Sequence, residues 1–391
     1  MINNKLRWIF IISSAIYFTQ GIESLPSLTF FFFLKEKLHL VPSMIMYLGA
    51  LTSVAWIMKP IFGYLCDNYL TKKKWIIISL FGSLATCLYL GLSPFLALFV
   101  LITLIAFGNF TTAIRDVACD GIMCVEGKEA NECGRIQAIQ WTSITIASII
   151  VGLIGGYISD HFTYQTAYLC LIPIYLCIML VVLRYRTTVL LNRTLHTSLW
   201  KNIISYKELF TNKKFLFGCL FLFLYNFSPG FGTPLMFIER DTFHWSGTFM
   251  GILGAITSGI SVIGSILYFK FGTKINIKKC LIYSVFIGAL TTLCYLYFTP
   301  ITAIIYGIVF SFVGMFIFLN VMAWMAESTI SGKEATSFAM LCSINNLAGT
   351  ASTITGAWLF PIIGLKWLIV VSALTSFSCL IFINKIGGKN A

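Results

Sequence analysis

Long apolar runs, broken by short polar stretches, follow one another along the whole chain. A membrane-crossing helix needs about 20 mostly apolar residues. Twelve runs have roughly that length: 8–34, 41–63, 75–94, 96–125, 136–158, 165–185, 215–238, 248–270, 280–298, 301–327, 335–358 and 366–384. None shows the period-two alternation of a membrane β-barrel. Most connections are short, but one polar, basic stretch, 186–214, separates the sixth run from the seventh. The pattern predicts an all-α polytopic membrane protein with twelve transmembrane helices. They form two pseudo-symmetric six-helix bundles, 1–185 and 215–391, joined by a cytoplasmic linker, 186–214. That is the layout of parallel repeats in a two-bundle transporter.

Composition agrees with this picture. Of the 391 residues, 58% are hydrophobic and 10% charged, against about 25% charged in a soluble domain. The basic start, Met1 to Arg7, resembles the opening of a signal peptide, but the apolar run behind it continues to Leu34 and reads as a first membrane helix. Twelve cysteines are spread along the chain without a CxxC pair or a neighbouring histidine cluster. They read as small apolar helix residues, not as zinc ligands or a disulfide framework. The four histidines, 39, 161, 196 and 244, lie in different loops. A membrane enzyme would need catalytic groups clustered near an interface, and a channel a repeated filter or pore ring. Neither pattern is present, so neither an enzyme nor a cofactor is expected.

The net charge of +13 gains meaning when it is sorted by position. With the N-terminus inside, 21 of the 27 Lys and Arg residues fall in inner loops and tails, and only Lys35, Lys37, Arg240 and Lys366 fall outside. This asymmetry orients membrane proteins. Both termini are therefore expected on the cytoplasmic side, in a bacterial inner membrane or a plasma or organelle membrane. The basicity is orientation, and nucleic acid is not an expected partner. The Asn192-Arg193-Thr194 sequon falls on the inner side, where it would go unused.

Six ionisable residues stay inside the apolar segments: Glu23, Lys59, Arg115, Asp116, Asp120 and Glu327. Each costs about 2.5–3.5 kcal/mol at the centre of a membrane helix on insertion scales, which makes each a functional candidate. The four acids lie in segments one, four and ten. In two repeated halves these positions are equivalent and line a central path. Glu23 lies in Thr19-Gln20-Gly21-Ile22-Glu23-Ser24-Leu25-Pro26, a polar interruption tolerated only against protein or a water cavity. Proton coupling and a structural role in helix packing both account for it. Asp116 and Asp120 are one helical turn apart, so one must be protonated or a cation must lie close. Lys59 is the candidate partner through space, while Arg115 points elsewhere on the helix. Asp120 and Glu327 are also close enough to helix ends to reach the headgroups.

Segment seven carries Asn226-Phe227-Ser228-Pro229-Gly230-Phe231-Gly232-Thr233-Pro234. Two prolines and two glycines break a helix there, which suits a binding site or a gating hinge. Asn226 is placed to bond a ligand or a neighbouring helix. On the inner loop after segment two, Gly63-x-x-x-Asp67 precedes Lys72-Lys73-Lys74. It is similar to the signature loop of the major facilitator superfamily, in which the glycine permits close helix approach and the aspartate pairs with a cation or a helix N-terminus. Asn68 stands where that signature has arginine.

The order of these pieces resembles the folate–biopterin transporter family, a branch of that superfamily. The matching residues are Tyr17-Phe18-x-Gln20-Gly21, Phe33-Leu34-Lys35-x-x-Leu38-His39-Leu40-x-Pro42, Trp56-x-x-Lys59-Pro60-x-x-Gly63-x-x-x-Asp67, Asp116-Val117-x-x-Asp120-Gly121 and Gln137-x-x-x-Trp141. They continue through the Asn226–Pro234 stretch, Gly332-Lys333-Glu334-Ala335-Thr336 and Ser343-Ile344-x-Asn346-Leu347. The resemblance implies the major facilitator fold and a secondary transporter of folates or pterins. Alternating access and proton coupling are expected with it, and so, separately, is function as a monomer in the lipid bilayer. The expected substrate contacts are Gln20, Lys59, Arg115, Asn226 and Asn346. Glu23, Asp116, Asp120 and Glu327 are expected to carry protons, and Gly63, Asp67, Pro229 and Pro234 to gate. A folate has an aromatic pterin and a tail with two carboxylates, so its site needs a cation, aromatic walls and an acceptor for ring N–H groups. The alternatives on the same fold are a porter for another small anionic solute (a muropeptide, nucleotide or amino-acid derivative) and a receptor that transports nothing. Tags placed at either terminus are expected to be reached only from the cytoplasmic face of intact cells. A tag reached from outside would reverse the topology.

Overall fold

The computed structural model describes residues 4–93, 96–123, 133–185, 211–271, 276–329 and 334–382, the side chains of 4–5, 67–68, 133–134, 269–271, 277, 326–327 and 334–336 excepted. Regular structure among the described residues is helical throughout. The first segment is α1 (Asn4–Ile22) and α2 (Ser27–Phe32), which runs on into a π-helical turn at Phe33–Lys37. The second is α3 (Pro42–Thr52), α4 (Val54–Ile57) and α5 (Lys59–Asn68). Then come α6 (Lys72–Leu92), α7 (Leu98–Ile122), α8 (Cys133–His161) and α9 (Tyr164–Arg184). The C-terminal half has α10 (Lys213–Asn226), α11 (Gly232–Asp241), α12 (Gly247–Phe271), α13 (Ile277–Cys294), α14 (Pro300–Glu327) and α15 (Glu334–Ser376). Among the described residues, seven helices are long and apolar enough to cross a membrane unaided. One of these runs through α15 and carries segments eleven and twelve. Segments one, two and seven are broken into shorter pieces, and α13 has 18 residues beginning with Ile277-Lys278-Lys279.

Local sequence sets the helix ends. Thr71, Asn212 and Asn276 each accept a backbone N–H three residues on, capping α6, α10 and α13. Pro42 and Pro60 stand in the first turns of α3 and α5, where a missing N–H costs nothing. Lys73 donates to the Leu183 and Tyr185 carbonyls at 2.9 and 2.6 Å, placing a cation at the C-terminus of α9. Segments eleven and twelve meet without a loop, at Gly364, whose φ of 71° is open to glycine at little cost.

The breaks have physical causes. Pro26 cannot donate to the Ile22 carbonyl, so Leu25 N donates there instead at 2.9 Å and α1 stops. Segment two, expected as one helix, breaks after Thr52 and again at Met58. Ser53 Oγ bonds the Ala50 carbonyl at 2.8 Å, and Pro60 leaves the Trp56 carbonyl without its helical donor. Asn346 Nδ2 on α15 donates to that carbonyl at 3.1 Å. The stretch between α10 and α11 is likewise tied to α15: Gly230 N donates to the Ser352 carbonyl at 2.9 Å, and Ser352 Oγ to the Ser228 carbonyl.

The chain falls into two compact units. The first gathers Met1–Leu38, Met58–Thr197 and Ser246–Gly259, and the second His39–Ile57, Ser198–Trp245 and Ile260–Ala391. The first unit's core includes Ile12, Ile16, Leu80, Cys119, Ala147 and Leu171. The second packs Phe221, Leu222, Leu281, Trp324 and Leu341, with Phe221 edge-on to Trp324. Apolar side chains also face outward, Phe99 at 80% exposure and Leu290 at 66%, which fits a helix bundle bathed in lipid. Backbones approach closely where glycine allows it. A Cβ at Gly356 would lie 1.9 Å from the Gly230 carbonyl oxygen, whereas one at Gly230 would meet nothing nearer than Ser352 O at 3.5 Å. Gly356→Ala is therefore expected to destabilise the fold by about 1–3 kcal/mol and Gly230→Ala to be tolerated. Thermal unfolding of the two variants in detergent checks the asymmetry.

Candidate functional site

Five of the six membrane charges have described side chains, and all five lie in the first unit. They form two groups on α7. In the first, Arg115 is fully buried and its Nη2 pairs with Glu23 Oε1 at the α1–α2 break. Arg115 Nη1 donates to Ser83 Oγ at 3.1 Å and Nη2 to Thr112 Oγ1 at 3.4 Å. The guanidinium carbon sits 5.9 Å from the centre of the Tyr175 ring. Glu23 also accepts the Tyr175 hydroxyl at 2.5 Å and the Thr112 hydroxyl at 2.7 Å. This carboxylate has three donors from two helices, so its charge is satisfied on all sides.

The second group lies one turn along. Lys59 Nζ, at the first position of α5, is 2.7 Å from Asp116 Oδ2, with side-chain exposures of 15% and 4%. A cation at a helix N-terminus opposes the helix dipole, and Asp116 offsets it. Asp120 Oδ1 accepts the Tyr17 hydroxyl at 2.6 Å and Gln140 Nε2 at 3.4 Å. The acids at i and i+4 are therefore held differently: one faces an ammonium, the other neutral donors.

The remaining candidates fall elsewhere. Gln20, in the last turn of α1, has a buried Oε1 with no hydrogen-bond partner among the described residues. Asn226 Nδ2 donates to the Leu222 carbonyl of its own helix at 3.0 Å, and Asn346 serves the segment-two break. Pro229 lies between α10 and α11, and Pro234 is buried in the first turn of α11. A Cβ at Gly63 would meet, among the described residues, only Val117 Cγ1 at 3.9 Å. The side chains of Asp67 and Glu327, the bulk of the linker (186–210) with its sequon, and Gly332-Lys333 lie outside the described residues.

Sequence reasoning passed over Tyr175, Thr112, Ser83 and Gln140 and gave Tyr17 no role of its own. Hydroxyls and aromatics are scattered over every segment, and nothing local marks the ones that meet a charge. Gln140 stands among other polar residues, Gln137, Thr142 and Ser143, so its sequence does not single it out, although it is 1% exposed. The Glu23–Arg115 pair makes a prediction about stability. Removing one member of a buried pair strands the other at a cost of about 3–5 kcal/mol. Arg115→Met is expected to lose most folded protein, and the double change Glu23→Gln, Arg115→Gln to recover it. Folded yield by size exclusion reads both, and a stable Arg115→Met would refute the pairing.

The geometry can now be set beside known proteins. The sequence model of the BT1 family matches residues 20–386. The chain is 23% identical over 379 residues to the folate-biopterin transporter of Synechocystis sp. (strain ATCC 27184 / PCC 6803 / Kazusa), covering 92% of this chain and 76% of that protein. It is 24% identical over 414 residues to folate transporter 1 of Plasmodium falciparum (isolate 3D7), covering 98% and 79%. Among solved structures, a D-xylose–proton symporter superposes with a TM-score of 0.76 at 11% identity, covering 99% of this chain and 100% of that one. The nucleoside transporter NupG gives 0.71 at 14% identity, over 98% and 99%. The fold is therefore that of the major facilitator transporters, and with 20–386 matched the chain belongs to the BT1 family.

Proposed function

We propose that this transporter carries folates or related pterins by alternating access of its two six-helix bundles, 1–185 and 215–391, and is driven by protons. It acts as a monomer with both termini in the cytoplasm. The observation that carries this reading is the Lys59–Asp116 pair, 2.7 Å apart and beside a second acid. Lys59 is the cation a folate tail requires, and in the substrate-free pair Asp116 occupies it. A proton on Asp116 releases Lys59, and a substrate carboxylate takes the vacated place. Loss of the proton on the other side restores the pair and expels the substrate. Proton and substrate then favour each other's binding and travel together, as reciprocal linkage demands. Asp120, one turn away, lends or stores the proton while Tyr17 and Gln140 hold its carboxyl in place.

Glu23 suits a different role in this scheme. Its carboxylate already accepts from Arg115, Tyr175 and Thr112, and a proton there would give up a buried ion pair. It fixes the α1–α2 break against α7 and α9, and through that break positions Gln20. The relatives named for folate and biopterin favour a pterin cargo over the other anionic solutes.

The test is uptake of labelled folate, biopterin, a nucleotide and a muropeptide into vesicles of purified protein, with and without an imposed proton gradient. Wild type is expected to concentrate folate or biopterin only with the gradient. Asp116→Asn is expected to lose gradient-driven accumulation by at least about tenfold, the consequence of one removed charge interaction worth about 1.4 kcal/mol, while still exchanging substrate across the membrane. Full accumulation by Asp116→Asn would overturn the coupling, and uptake of another solute alone would overturn the cargo.

A further inference from the structure

One acid in the second unit has no counterpart in the account so far. Glu239 lies near the end of α11 and is half-buried. Among the described residues no hydrogen-bond donor or cation meets its carboxylate. The adjacent Arg240 sends Nη1 to the Trp245 carbonyl at 3.0 Å. Glu239 is four residues beyond Leu235, so the two share a helical face, and Leu235 is 7% exposed. That face points into the protein. A carboxylate in such a place is costly when nothing compensates it.

The residues at both ends of α11 are aromatic, Phe231 before it and Phe243 and Trp245 after it. The turn after α11 folds back on the helix: Phe243 N donates to the Ile238 carbonyl and Trp245 N to the Glu239 carbonyl, both at 3.0 Å. From there a row of rings runs alongside α11. Trp245 and Phe298 each lie 5.4 Å from Phe243, Tyr295 lies 5.7 Å from Phe298, and Phe231, at the other end of α11, lies 5.5 Å from Tyr295. Phe231, Phe243, Tyr295 and Phe298 are all half-buried, so their rings keep part of their surface open.

We infer that Glu239 and the rings of Phe231, Tyr295 and Phe298 form a subsite for a flat heterocycle that presents two adjacent N–H donors on one edge. A carboxylate accepts two parallel N–H bonds from such an edge, and aromatic faces complement a flat ring by stacking. The 2-amino-4-oxo edge of a pterin has this chemistry, with a ring N–H beside an exocyclic amino group. The inference rests on the pterin reading above and deepens it. A simple aliphatic ammonium would use the charge but leave the stacking faces unmatched.

The test separates ring from tail with purified protein and three competitors of labelled folate. Biopterin carries the ring without the tail, p-aminobenzoylglutamate the tail without the ring, and 2-desaminofolate lacks the amino group proposed to meet Glu239. Glu239→Gln keeps the side chain's shape and removes its charge. It is expected to weaken folate and biopterin at least tenfold, to weaken 2-desaminofolate, which keeps only one of the two N–H donors, by less, and to leave p-aminobenzoylglutamate unchanged. Tyr295→Leu is expected to weaken biopterin in the same way. Unchanged p-aminobenzoylglutamate binding also shows that the variants are folded. If wild type binds biopterin and Glu239→Gln binds it equally well, the subsite is refuted while the transport reading stands. If wild type binds neither folate nor biopterin, the transport reading falls and the subsite with it.

Discussion

An ionised side chain in an apolar medium must find an opposite charge or several strong dipoles, and the first unit is organised around that demand. Arg115 and Asp116 are neighbours on α7, yet each pairs with a different helix, Arg115 with Glu23 and Asp116 with Lys59. Consecutive residues point about 100° apart, a consequence of 3.6 residues per turn. One short stretch of α7 therefore ties the α1–α2 break on one side and the start of α5 on the other. The hydroxyls of Ser83, Thr112, Tyr17 and Tyr175 complete the shells. Polar residues in membrane helices are costly when unpaired, and these four meet a charge.

The second unit shows a different device. Its α15 supplies hydrogen bonds to two interrupted neighbours, through Asn346 to the Trp56 carbonyl and through Ser352 to the loop between α10 and α11. Non-helical backbone at membrane depth survives only where protein satisfies it. Gly356 lets the loop at Gly230 come close enough for those bonds to form. A single helix is thus the common support of both breaks.

Much of this could be read from the sequence. Apolar runs of bilayer length placed all twelve segments, because nothing but a helix can carry them through lipid. The interruptions at Glu23–Pro26 and Phe227–Phe231 were legible for a similar reason: glycine and proline act locally, whatever surrounds them. The two breaks in segment two were not foreseen; at the first, a serine bonding its own helix looks like any other serine. The six charges announced themselves by their cost, and Lys59 was named as a partner for Asp116. That Arg115 would turn to Glu23, 92 residues away, depends on how α1 and α7 pack, and periodicity carries no information about which helix lies opposite. The roles of Gln140 and Tyr175 were hidden for the same reason. Asn346 read as a ligand contact, and in the structure it repairs backbone left open by a proline on another helix.

Pro60 has a consequence for speed. A ring nitrogen without hydrogen cannot donate in any conformation, so the joint before α5 cannot heal into straight helix at one stage of a transport cycle and reopen at another. Bending there breaks no intrahelical hydrogen bond, because that bond never existed, and the Asn346 amide at 3.1 Å can follow the Trp56 carbonyl by rotating its own side chain. Motion at this point draws on soft torsions instead of the melting and regrowth of a helical turn. The joint is thus ready-made: its geometry is written into the chain by one ring nitrogen and costs no bond to keep.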